Sequence, residues 1–229
     1  MNALILSAGR GVRLRPHTDT CPKPLLEVNG KRLIEWHLEA LARAGVREVV
    51  INTAWLEEQF PAVLGDGSRW GLRITYSMEG RDHGGALETA GGIATALPLL
   101  GEAFWVVSGD IHMPGFAFDD SAARRFADDA RPDRPLGHLW MVEDAHYPQG
   151  DFGIAADGRL SYDAAPRMTY ANVALFRAAM FDGIAPGTRL ALRPVFDRCI
   201  AQGLLTGEPW RGPWANVGTV EEWRALDTH

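Results

Sequence analysis

The sequence predicts a three-layer α/β/α sandwich built around a mixed, mostly parallel β-sheet. Three observations lead to this fold class. Continuously apolar runs in the first half are separated by segments with helical periodicity, which is typical of parallel strands connected by helices. The first apolar run ends in a glycine-rich turn at residues 7–11, at the sheet edge where such folds bind ligands. The second half contains several short strand-like segments and is less regular.

Each element of the first half follows from its residue pattern. Ala3–Leu6 is apolar throughout, as expected for a strand that is buried on both faces. Residues 31–44 repeat apolar side chains on one helical face, and Gly45 follows them as a suitable helix end. Pro61 is expected to limit the next helix. The predicted elements are strands 3–6, 47–52, 72–77 and 103–110 and helices 31–44, 56–65 and 86–100.

The second half has shorter elements. A turn at Asp157-Gly158 separates two strand-like runs. Residues 128–137 are polar and contain proline, and we interpret them as a surface loop because neither side has a complete core alone. The sequence therefore predicts a single domain over residues 1–229. The remaining predicted elements are strands 136–142, 152–155, 158–163, 168–176, 204–210 and 213–219 and helices 191–203 and 220–227.

Composition and charge exclude several classes of protein. The 229 residues are 46% hydrophobic and 23% charged, as in an ordinary globular enzyme. The net charge of −6 argues against general affinity for nucleic acid, which needs a basic face. No apolar run approaches the roughly 20 residues of a membrane span, and the N-terminus lacks the basic region of a signal peptide. With Cys21 and Cys199 as its two cysteines, the chain is expected in a reducing cytoplasm. Nothing in the sequence indicates its oligomeric state.

The glycine-rich turn is followed by several cationic side chains. Gly9 and Gly11 expose backbone N–H groups with no side chain in front of them, which suits a phosphate. Arg13 adds a long cationic side chain, and Lys23 stands between two prolines that fix the backbone around it. The sequence has no Walker A motif, and Leu14 occupies the third glycine position of a dinucleotide-binding fingerprint. The loop thus indicates another kind of polyphosphate site, with a solvated tight turn as the alternative.

The longer stretch 6–41 resembles the N-terminal signature of the sugar-1-phosphate nucleotidyltransferases. That signature reads roughly A-G-G/x-G-x-R-L-x-P-x-T-x-x-x-P-K-P-L-x-x-V, where G/x is glycine or another residue. Further segments similar to those of the family follow in order along the whole chain. The resemblance implies a Rossmann-like, GT-A-like fold within the predicted three-layer class. All fixed positions of the signature are present: Ala8, Gly9, Gly11, Arg13, Leu14, Pro16, Thr18, Pro22, Lys23, Pro24, Leu25 and Val28.

The resemblance also implies roles for individual residues. Arg13 is expected at the β- and γ-phosphates of a nucleoside triphosphate and Lys23 at its α-phosphate, where they offset negative charge during transfer. Asp151 and Asn172 are expected to face the sugar, and Arg167 is a candidate for contact with the sugar phosphate. The nucleotide-binding residues that the resemblance implies are Leu6, Ala8, Gly9, Gly11, Arg13, Lys23, Glu79, Thr89 and Gly92.

A metal site is implied at the end of the strand 103–110. Asp110 is the expected Mg²⁺ ligand and, with Arg13 and Lys23, an expected catalytic residue; its alternative role is a helix N-cap. The second metal ligand of the family is an aspartate, and Asn216 occupies that position here. An amide oxygen can bind Mg²⁺ but brings no charge, so we expect a weaker site, with Mn²⁺ as the alternative ion.

Three interpretations of Asn216 remain open from the sequence. The enzyme works with one carboxylate, the asparagine was introduced to trap a complex, or the protein binds nucleotide without turnover. Because Arg13, Lys23 and Asp110 are all present, the third interpretation is the least favoured.

The resemblance implies transfer of UMP from UTP to a sugar 1-phosphate, which yields a UDP-sugar and pyrophosphate. N-acetylmuramate α-1-phosphate, a compound of cell-wall recycling, is the expected acceptor. Residues 1–110 would bind the nucleotide and residues 111–229 the sugar phosphate. The alternatives are the same chemistry on mannose 1-phosphate with GTP, or on glucose 1-phosphate with dTTP or UTP, and a non-catalytic protein that binds nucleotide sugars. Residue chemistry alone does not select among the acceptors.

Overall fold

The computed structural model describes residues 1–226 and confirms the predicted fold class. A mixed sheet of nine strands forms the middle layer, and a hydrophobic core with helices lies on each of its faces. Two small two-stranded ladders complete the strand pairing in this range. The strands are β1 (Asn2–Ser7), β2 (Glu27–Val28), β3 (Lys31–Arg32), β4 (Glu48–Thr53), β5 (Arg73–Met78), β6 (Ala103–Ser108), β7 (Ile111–His112), β8 (Gly137–Val142), β9 (Phe152–Ile154), β10 (Leu160–Ser161), β11 (Arg167–Arg177), β12 (Leu205–Pro209) and β13 (Ala215–Asn216).

The parallel part of the sheet is formed by the strands that the sequence predicts from apolar runs. The order across the large sheet is β10-β9-β11-β6-β1-β4-β5, and β8 pairs with both β11 and β12. β5, β4, β1 and β6 run parallel, so that Ile5 in β1 lies opposite Ile51 and Val107. β11 joins this group antiparallel to β6. Strands covered on both faces need apolar side chains on both, which explains the continuous runs.

Helices cover the two faces of the sheet. Alternate residues of β1 point to opposite cores: Ile5 packs in the core that includes α1, and Leu4 packs in the core that includes α4. Within residues 1–226, no helix is long and apolar enough to cross a membrane. The helices are α1 (Leu33–Arg43), α2 (Gln59–Leu64), α3 (Glu79–His83), α4 (Glu88–Ala96), α5 (Asp120–Asp128), α6 (Arg193–Ala201) and α7 (Val220–Leu226).

Several predicted boundaries are wrong in detail. α1 begins at Leu33, because the two residues before it form β3 and pair with β2. Pro61 lies in the first turn of α2 and does not end that helix, since an N–H group there has no intrahelical acceptor to lose. Two helices, α3 and α5, are not among the predicted elements. α3 has no apolar side chain, whereas α5 buries Ala123 and Phe126 on one face and follows the N-cap Asp119. Asp227, the last residue of the predicted final helix, lies outside the described residues.

Arg177 joins β11 to the end of α5. Its side chain is 1% exposed, and its guanidinium donates hydrogen bonds to the carbonyl oxygens of Phe126, Ala127 and Pro135. The nearest carboxylate, on Glu102, is 3.6 Å away and mostly exposed. The last carbonyl groups of a helix lack intrahelical donors. Arg177, on the neighbouring strand β11, supplies the missing N–H donors for α5.

Replacing Arg177 by methionine should lower the free energy of unfolding by about 3 kcal/mol, because buried carbonyl oxygens would lose their donors. Urea denaturation followed by circular dichroism measures this loss. Arg134→Met is the matched control, since Arg134 is more exposed and pairs with the same Glu102 at 3.3 Å. We expect the control to lose less than about 1 kcal/mol. Equal losses in the two variants would contradict the capping role of Arg177.

Candidate active site

Three adjoining cavities form one cleft beside the carboxyl ends of β1 and β6. They are called here the loop cavity, the wide cavity and the α6 cavity, with volumes of about 250, 560 and 220 Å³. Arg13 lines the loop and wide cavities, Leu6 lines the loop and α6 cavities, and Asn172 lines the wide and α6 cavities. The shared residues make the cleft continuous. Other lining residues include Gly9, Gly11, Lys23 and Asp110 in the loop cavity, Trp214, Asn216 and Gly218 in the wide cavity, and Thr89, Asp151 and Arg193 in the α6 cavity.

The glycine-rich loop after β1 is held by short contacts. Gly11 has φ 65°, a left-handed conformation that favours glycine, and a Cβ there would lie 3.1 Å from Thr18 Cγ2. The Thr18 hydroxyl donates to the Gly11 carbonyl (2.8 Å), and Trp55 Nε1 donates to the Thr18 carbonyl (2.8 Å). A Cβ at Gly9 would meet no protein atom within 4 Å. Gly9, which follows Ala8, thus presents open backbone to the loop cavity, as a phosphate site requires.

Arg13 lies where the loop cavity meets the wide cavity. Its guanidinium nitrogens would be 3.3 Å from a Cβ at Gly218, so the glycine lets the arginine lie close to this turn. The Glu222 carboxylate holds the turn by accepting from the N–H groups of Gly218 and Thr219 at 2.7 and 2.9 Å. Arg13 forms no ion pair within the described part of the chain, so its charge is available to an anionic ligand.

Lys23 and Asp110 form an ion pair in the loop cavity. The distance from Lys23 Nζ to Asp110 Oδ2 is 2.7 Å, and the two side chains are 8% and 33% exposed. Close packing behind the pair requires Gly109, since a Cβ there would lie 2.7 Å from Ser7 Oγ and 3.2 Å from Pro24 Cβ. The buried stem and the carboxylate together fix the ammonium group in position.

Of the two residues that the resemblance implies as metal ligands, Asp110 lies in the turn before β7 and Asn216 lies on β13. β7 begins directly after Asp110 and pairs antiparallel with β13, so that Asn216 lies opposite Ile111. The Val217 N–H also donates to the Asp110 carbonyl (3.3 Å). Because a strand follows Asp110, the alternative role as a helix N-cap is excluded.

The chemistry of these two donors fits a hard cation. Carboxylate and amide oxygens are suitable ligands for Mg²⁺, which commonly takes one or two protein ligands and completes its shell with phosphates and water. Within residues 1–226 no group of three or more His, Cys, Asp or Glu side chains is arranged to hold a metal. The oxygen donors of Asp110 and Asn216 are thus of the chemical type that Mg²⁺ accepts.

His37 on α1 holds β7 in place through a hydrogen bond to its backbone. Its Nε2 donates to the Ile111 carbonyl at 3.0 Å, one residue after Asp110. Burial lowers the pKa of His37 to about 4, and the hydrogen bond to Ile111 and the nearby Asp110 oppose only part of this effect. The ring is therefore neutral at pH 7 and supports the ladder between β7 and β13.

Acidification should destabilise the protein through His37. The unfolded chain takes up a proton on this ring below about pH 6.5, whereas the folded chain resists protonation down to about pH 4. The free energy of unfolding should thus decrease over this range by up to about 1.4 kcal/mol per pH unit. His37→Gln keeps a donor for the Ile111 carbonyl but does not titrate, so its pH dependence should be flatter. Urea denaturation across the range tests this, and parallel curves for both proteins would contradict it.

Glu79 turns its carboxylate into the protein. Its side chain is 1% exposed, and the carboxylate accepts hydrogen bonds from Asn52 Nδ2 (2.7 Å) and the Leu87 N–H (2.8 Å). Asn52 Oδ1 in turn accepts from the Ser7 N–H (2.9 Å). Burial raises the pKa of Glu79, while these hydrogen bonds oppose the rise. The side chain thus connects the segment after β5 to the end of β1 through Asn52. Only the backbone of Glu79 is left for contact with a nucleotide.

The glycine pair of α4 is explained by protein contacts. A Cβ at Gly92 would lie 2.5 Å from Glu79 Oε1, and a Cβ at Gly91 would lie 2.0 Å from the Thr188 carbonyl oxygen. Glycine is unfavourable inside a helix, which indicates a close approach at these two positions, and the structure shows that other parts of the chain make that approach. Thr89, one turn earlier, lines the α6 cavity. Of these helix residues, Thr89 is the one whose position is open to a ligand.

Asp151 and Asn172 meet at the α6 cavity. Asp151 Oδ2 accepts a hydrogen bond from the Tyr170 N–H (2.9 Å), which fixes the carboxylate against β11. Asn172 has φ 60°, and the pairing of β11 with β8 shifts register between Tyr170 and Ala174. A left-handed conformation is costly for a residue other than glycine and is often retained at functional sites. The irregularity places Asn172 between the wide cavity and the α6 cavity.

The arginine that lines the α6 cavity is Arg193, whereas Arg167 lies outside this cavity. Arg167 donates to the backbone carbonyl of Asp151 (2.6 Å) and so supports that residue. Arg193, at the start of α6, has Nη1 3.7 Å from Asp151 Oδ1 and Nε 3.0 Å from Asp197 Oδ1. Sequence reasoning missed Arg193 because its position before a proline indicates a helix start but not the direction of its side chain.

Comparison with known proteins places the chain in a family. Residues 2–158 match the family described as Nucleotidyl transferase. The chain is 47% identical to the N-acetylmuramate alpha-1-phosphate uridylyltransferase of Neisseria meningitidis serogroup B, over 96% of this chain and 94% of that protein. The chain belongs to the sugar-1-phosphate nucleotidyltransferases. The uridylyltransferase of the same name from Caulobacter vibrioides is 35% identical, over 94% of this chain and 91% of that protein. The predicted family is therefore confirmed, and the protein is a nucleotidyltransferase.

Solved structures share the fold of this nucleotidyltransferase. A Bacillus anthracis protein assigned as a glucose-1-phosphate thymidylyltransferase superposes with a TM-score of 0.80 at 17% identity, over 99% of this chain and 94% of that one. HddC from Yersinia pseudotuberculosis gives a TM-score of 0.76 at 16% identity, over 98% and 97% of the two chains. Identities this low show the common architecture alone, so the substrates must be argued from the site and from the closer relatives.

Proposed function

We propose that this nucleotidyltransferase transfers UMP from UTP to N-acetylmuramate α-1-phosphate, giving the UDP-sugar and pyrophosphate. One observation carries the reaction type. The glycine-rich loop, Arg13 and the Lys23–Asp110 pair converge on one cavity at the sheet edge, where fixed dipoles and cations can oppose the charge of a triphosphate. The relatives from Neisseria and Caulobacter, similar over nearly the whole chain, support UTP and the muramate acceptor.

In the proposed step, an oxygen of the acceptor's phosphate attacks the α-phosphorus of UTP. A bond forms between these two atoms, and the bond from the α-phosphorus to the bridging oxygen of pyrophosphate breaks. The electron pair leaves with pyrophosphate. The attacking oxygen is already ionised near neutral pH, so the step needs no general base. Catalysis is then a matter of placing the two phosphates in line and offsetting their charge.

The residues of the loop cavity divide this work. Lys23, rigid and mostly buried, is proposed to stabilise negative charge at the α-phosphate. Arg13, which forms no ion pair in the described chain, is proposed to bind the β- and γ-phosphates that leave. The backbone of Gly9 and Gly11 approaches the nucleotide closely. Leu6 and Ala8 at the start of the loop are proposed to contact the nucleoside.

Asp110 and Asn216 are proposed to hold Mg²⁺, with Mn²⁺ as the alternative ion. When bound, the ion would neutralise charge on the triphosphate and orient its oxygens. Only Asp110 brings a charge to this pair. The proposed site therefore depends on the nucleotide's own phosphates for much of its affinity.

The sugar is proposed to lie between the wide cavity and the α6 cavity. The wide cavity, of about 560 Å³, has room for a substituted sugar ring. Asp151 and Asn172 provide hydrogen-bonding groups at the α6 cavity, where Arg193 also lies, paired with Asp151 and Asp197. The two cysteines are free thiols, which supports the proposal that the enzyme works in the cytoplasm.

Pyrophosphate release tests the proposed function. The chain is incubated with Mg²⁺, each of four nucleoside triphosphates and each of three sugar phosphates: N-acetylmuramate α-1-phosphate, mannose 1-phosphate and glucose 1-phosphate. We expect release that depends on UTP and the muramate compound together. Faster release with GTP and mannose 1-phosphate, or with glucose 1-phosphate and dTTP or UTP, would change the substrate assignment. The reaction type, nucleotidyl transfer, would stand. Binding of UDP-sugar without turnover in either direction would contradict the catalytic proposal.

A further inference from the structure

One cation of the glycine-rich loop has no role in the site described so far. Arg10 lies between Gly9 and Gly11, at a position that the family signature leaves variable. Its guanidinium carbon is 4.3 Å from the centroid of the Trp55 ring. Arg10 is exposed and forms no ion pair within residues 1–226.

The other cations of this segment differ from Arg10 in their partners. Arg15 Nε is 3.0 Å from Asp19 Oδ1, in a pair whose side chains are both 48% exposed. Lys23 is paired with Asp110. Arg13 is the one unpaired cation among the residues that line the loop cavity. The charged residues that line the loop cavity are Arg13, Lys23 and Asp110, which sum to one positive charge, whereas a nucleoside triphosphate brings roughly four negative charges near neutral pH.

Trp55 is a fixed platform for Arg10. Trp55 Nε1 donates to the Thr18 carbonyl, and the Thr18 hydroxyl donates to the Gly11 carbonyl, both at 2.8 Å. The indole is thereby tied to the loop that carries Arg10. A guanidinium over an aromatic face is held by an attraction of about 0.5–1 kcal/mol at exposed sites. A charged hydrogen bond to a phosphate is stronger than this attraction.

We propose that Arg10 is a further phosphate-binding residue, which Trp55 holds beside the loop cavity and which closes on the β- and γ-phosphates of the nucleoside triphosphate. The inference rests on the proposed function in so far as the ligand is a triphosphate, but it does not depend on the acceptor. Arg10 would add a second positive charge to the one that the residues lining the loop cavity provide. Glycines on both sides leave the backbone free of side chains that would obstruct this movement.

Comparing the affinities for a nucleoside triphosphate and a monophosphate tests this role. A general distortion of the loop would weaken the binding of both ligands. Isothermal titration calorimetry measures the binding of UTP, with Mg²⁺ present, and the binding of UMP. Both affinities are compared between the unmodified chain and Arg10→Ala. We expect Arg10→Ala to bind UTP about tenfold more weakly, since a charged hydrogen bond is lost and a weaker cation–π contact is released. UMP affinity should stay unchanged, because UMP has no β- or γ-phosphate. Equal weakening of both ligands, or of neither, would overturn the proposal.

Arg15→Ala is the matched control. It removes the same charge from the same segment, but from an arginine that already has a carboxylate partner. Its UTP affinity should change less than about twofold. A loss as large as that of Arg10→Ala would show that only the long-range field matters and would overturn a direct contact.

The reverse reaction gives an independent readout. Arg10→Ala should raise the KM for pyrophosphate about tenfold and leave the KM for UDP-sugar unchanged, because only pyrophosphate occupies the β and γ positions. An unchanged KM for pyrophosphate would overturn the proposal. If the chain transfers to another sugar or prefers another base, the triphosphate and monophosphate of that base serve as probes. Failure of the muramate assignment is thus distinguishable from failure of the role of Arg10.

Discussion

Replacement of Lys23 by methionine should lower kcat by about a thousandfold, because a fixed charge at the α-phosphate acts mainly in the transition state. Methionine keeps an unbranched apolar side chain at this mostly buried position and removes the ammonium group. Asp110 loses its partner, but its side chain is one-third exposed, so the free energy of unfolding should fall by only about 1 kcal/mol. Pyrophosphate release and urea denaturation, measured on the same preparation, separate the two effects.

Lys31→Met provides the control for Lys23. Lys31 also forms an ion pair at 2.7 Å, with Glu39, but its side chain is more exposed and lies outside the three cavities of the cleft. We expect its kcat to change less than about twofold. A Lys23→Met protein with nearly full kcat would refute the role of the ammonium group in transfer.

Asp110→Asn should also reduce kcat by about a thousandfold, for a different reason. The change leaves two amides at the proposed metal site and removes the carboxylate that positions Lys23. Loss of a fixed charge from such a site typically costs several kcal/mol of transition-state stabilisation. Activity measured against increasing Mg²⁺ and Mn²⁺ gives both the maximal rate and the metal concentration at half-maximal rate.

Asn216→Asp is the reciprocal variant. An added carboxylate beside Asp110 should lower the Mg²⁺ concentration for half-maximal rate by about tenfold, since ligand charge sets affinity at oxygen sites. The double variant Asp110→Asn/Asn216→Asp has its one carboxylate on β13, and Lys23 keeps no carboxylate partner at position 110. It should remain as slow as Asp110→Asn. Full recovery in the double variant would mean that the position of the carboxylate is unimportant.

The fold could be predicted where local pattern and tertiary environment agree. β1, β4 and β6 read as apolar runs because both faces of each strand are buried. β7 and β13 are two residues long and exist because positions 111–112 pair with positions 215–216. Such a long-range pairing leaves no local periodicity, and the predicted strand over 213–219 shortens to two residues for that reason.

The candidate site divides in the same way. The glycine-rich loop and Lys23 are recognisable from a contiguous signature whose backbone constraints are local. Asn52 bonds to Ser7 and Glu79 in the interior, and Arg193 lines the α6 cavity. Both take these positions through packing between distant elements, so no spacing in the sequence indicates them. Glu79 resembles an exposed polar residue near a glycine, but Asn52 bonds to its carboxylate in the interior. The direction of a side chain is thus decided by tertiary contacts that the pattern does not contain.

The pair formed by Lys23 and Asp110 gives this carboxylate a covalently tethered counterion. A divalent ion arriving alone has to displace an ammonium group that cannot diffuse away. An ion that arrives with a nucleotide also brings an anion to which the ammonium can transfer. At the proposed site, the metal ion and the nucleotide should therefore bind together as one complex. The reason is the ion pair between two side chains 2.7 Å apart.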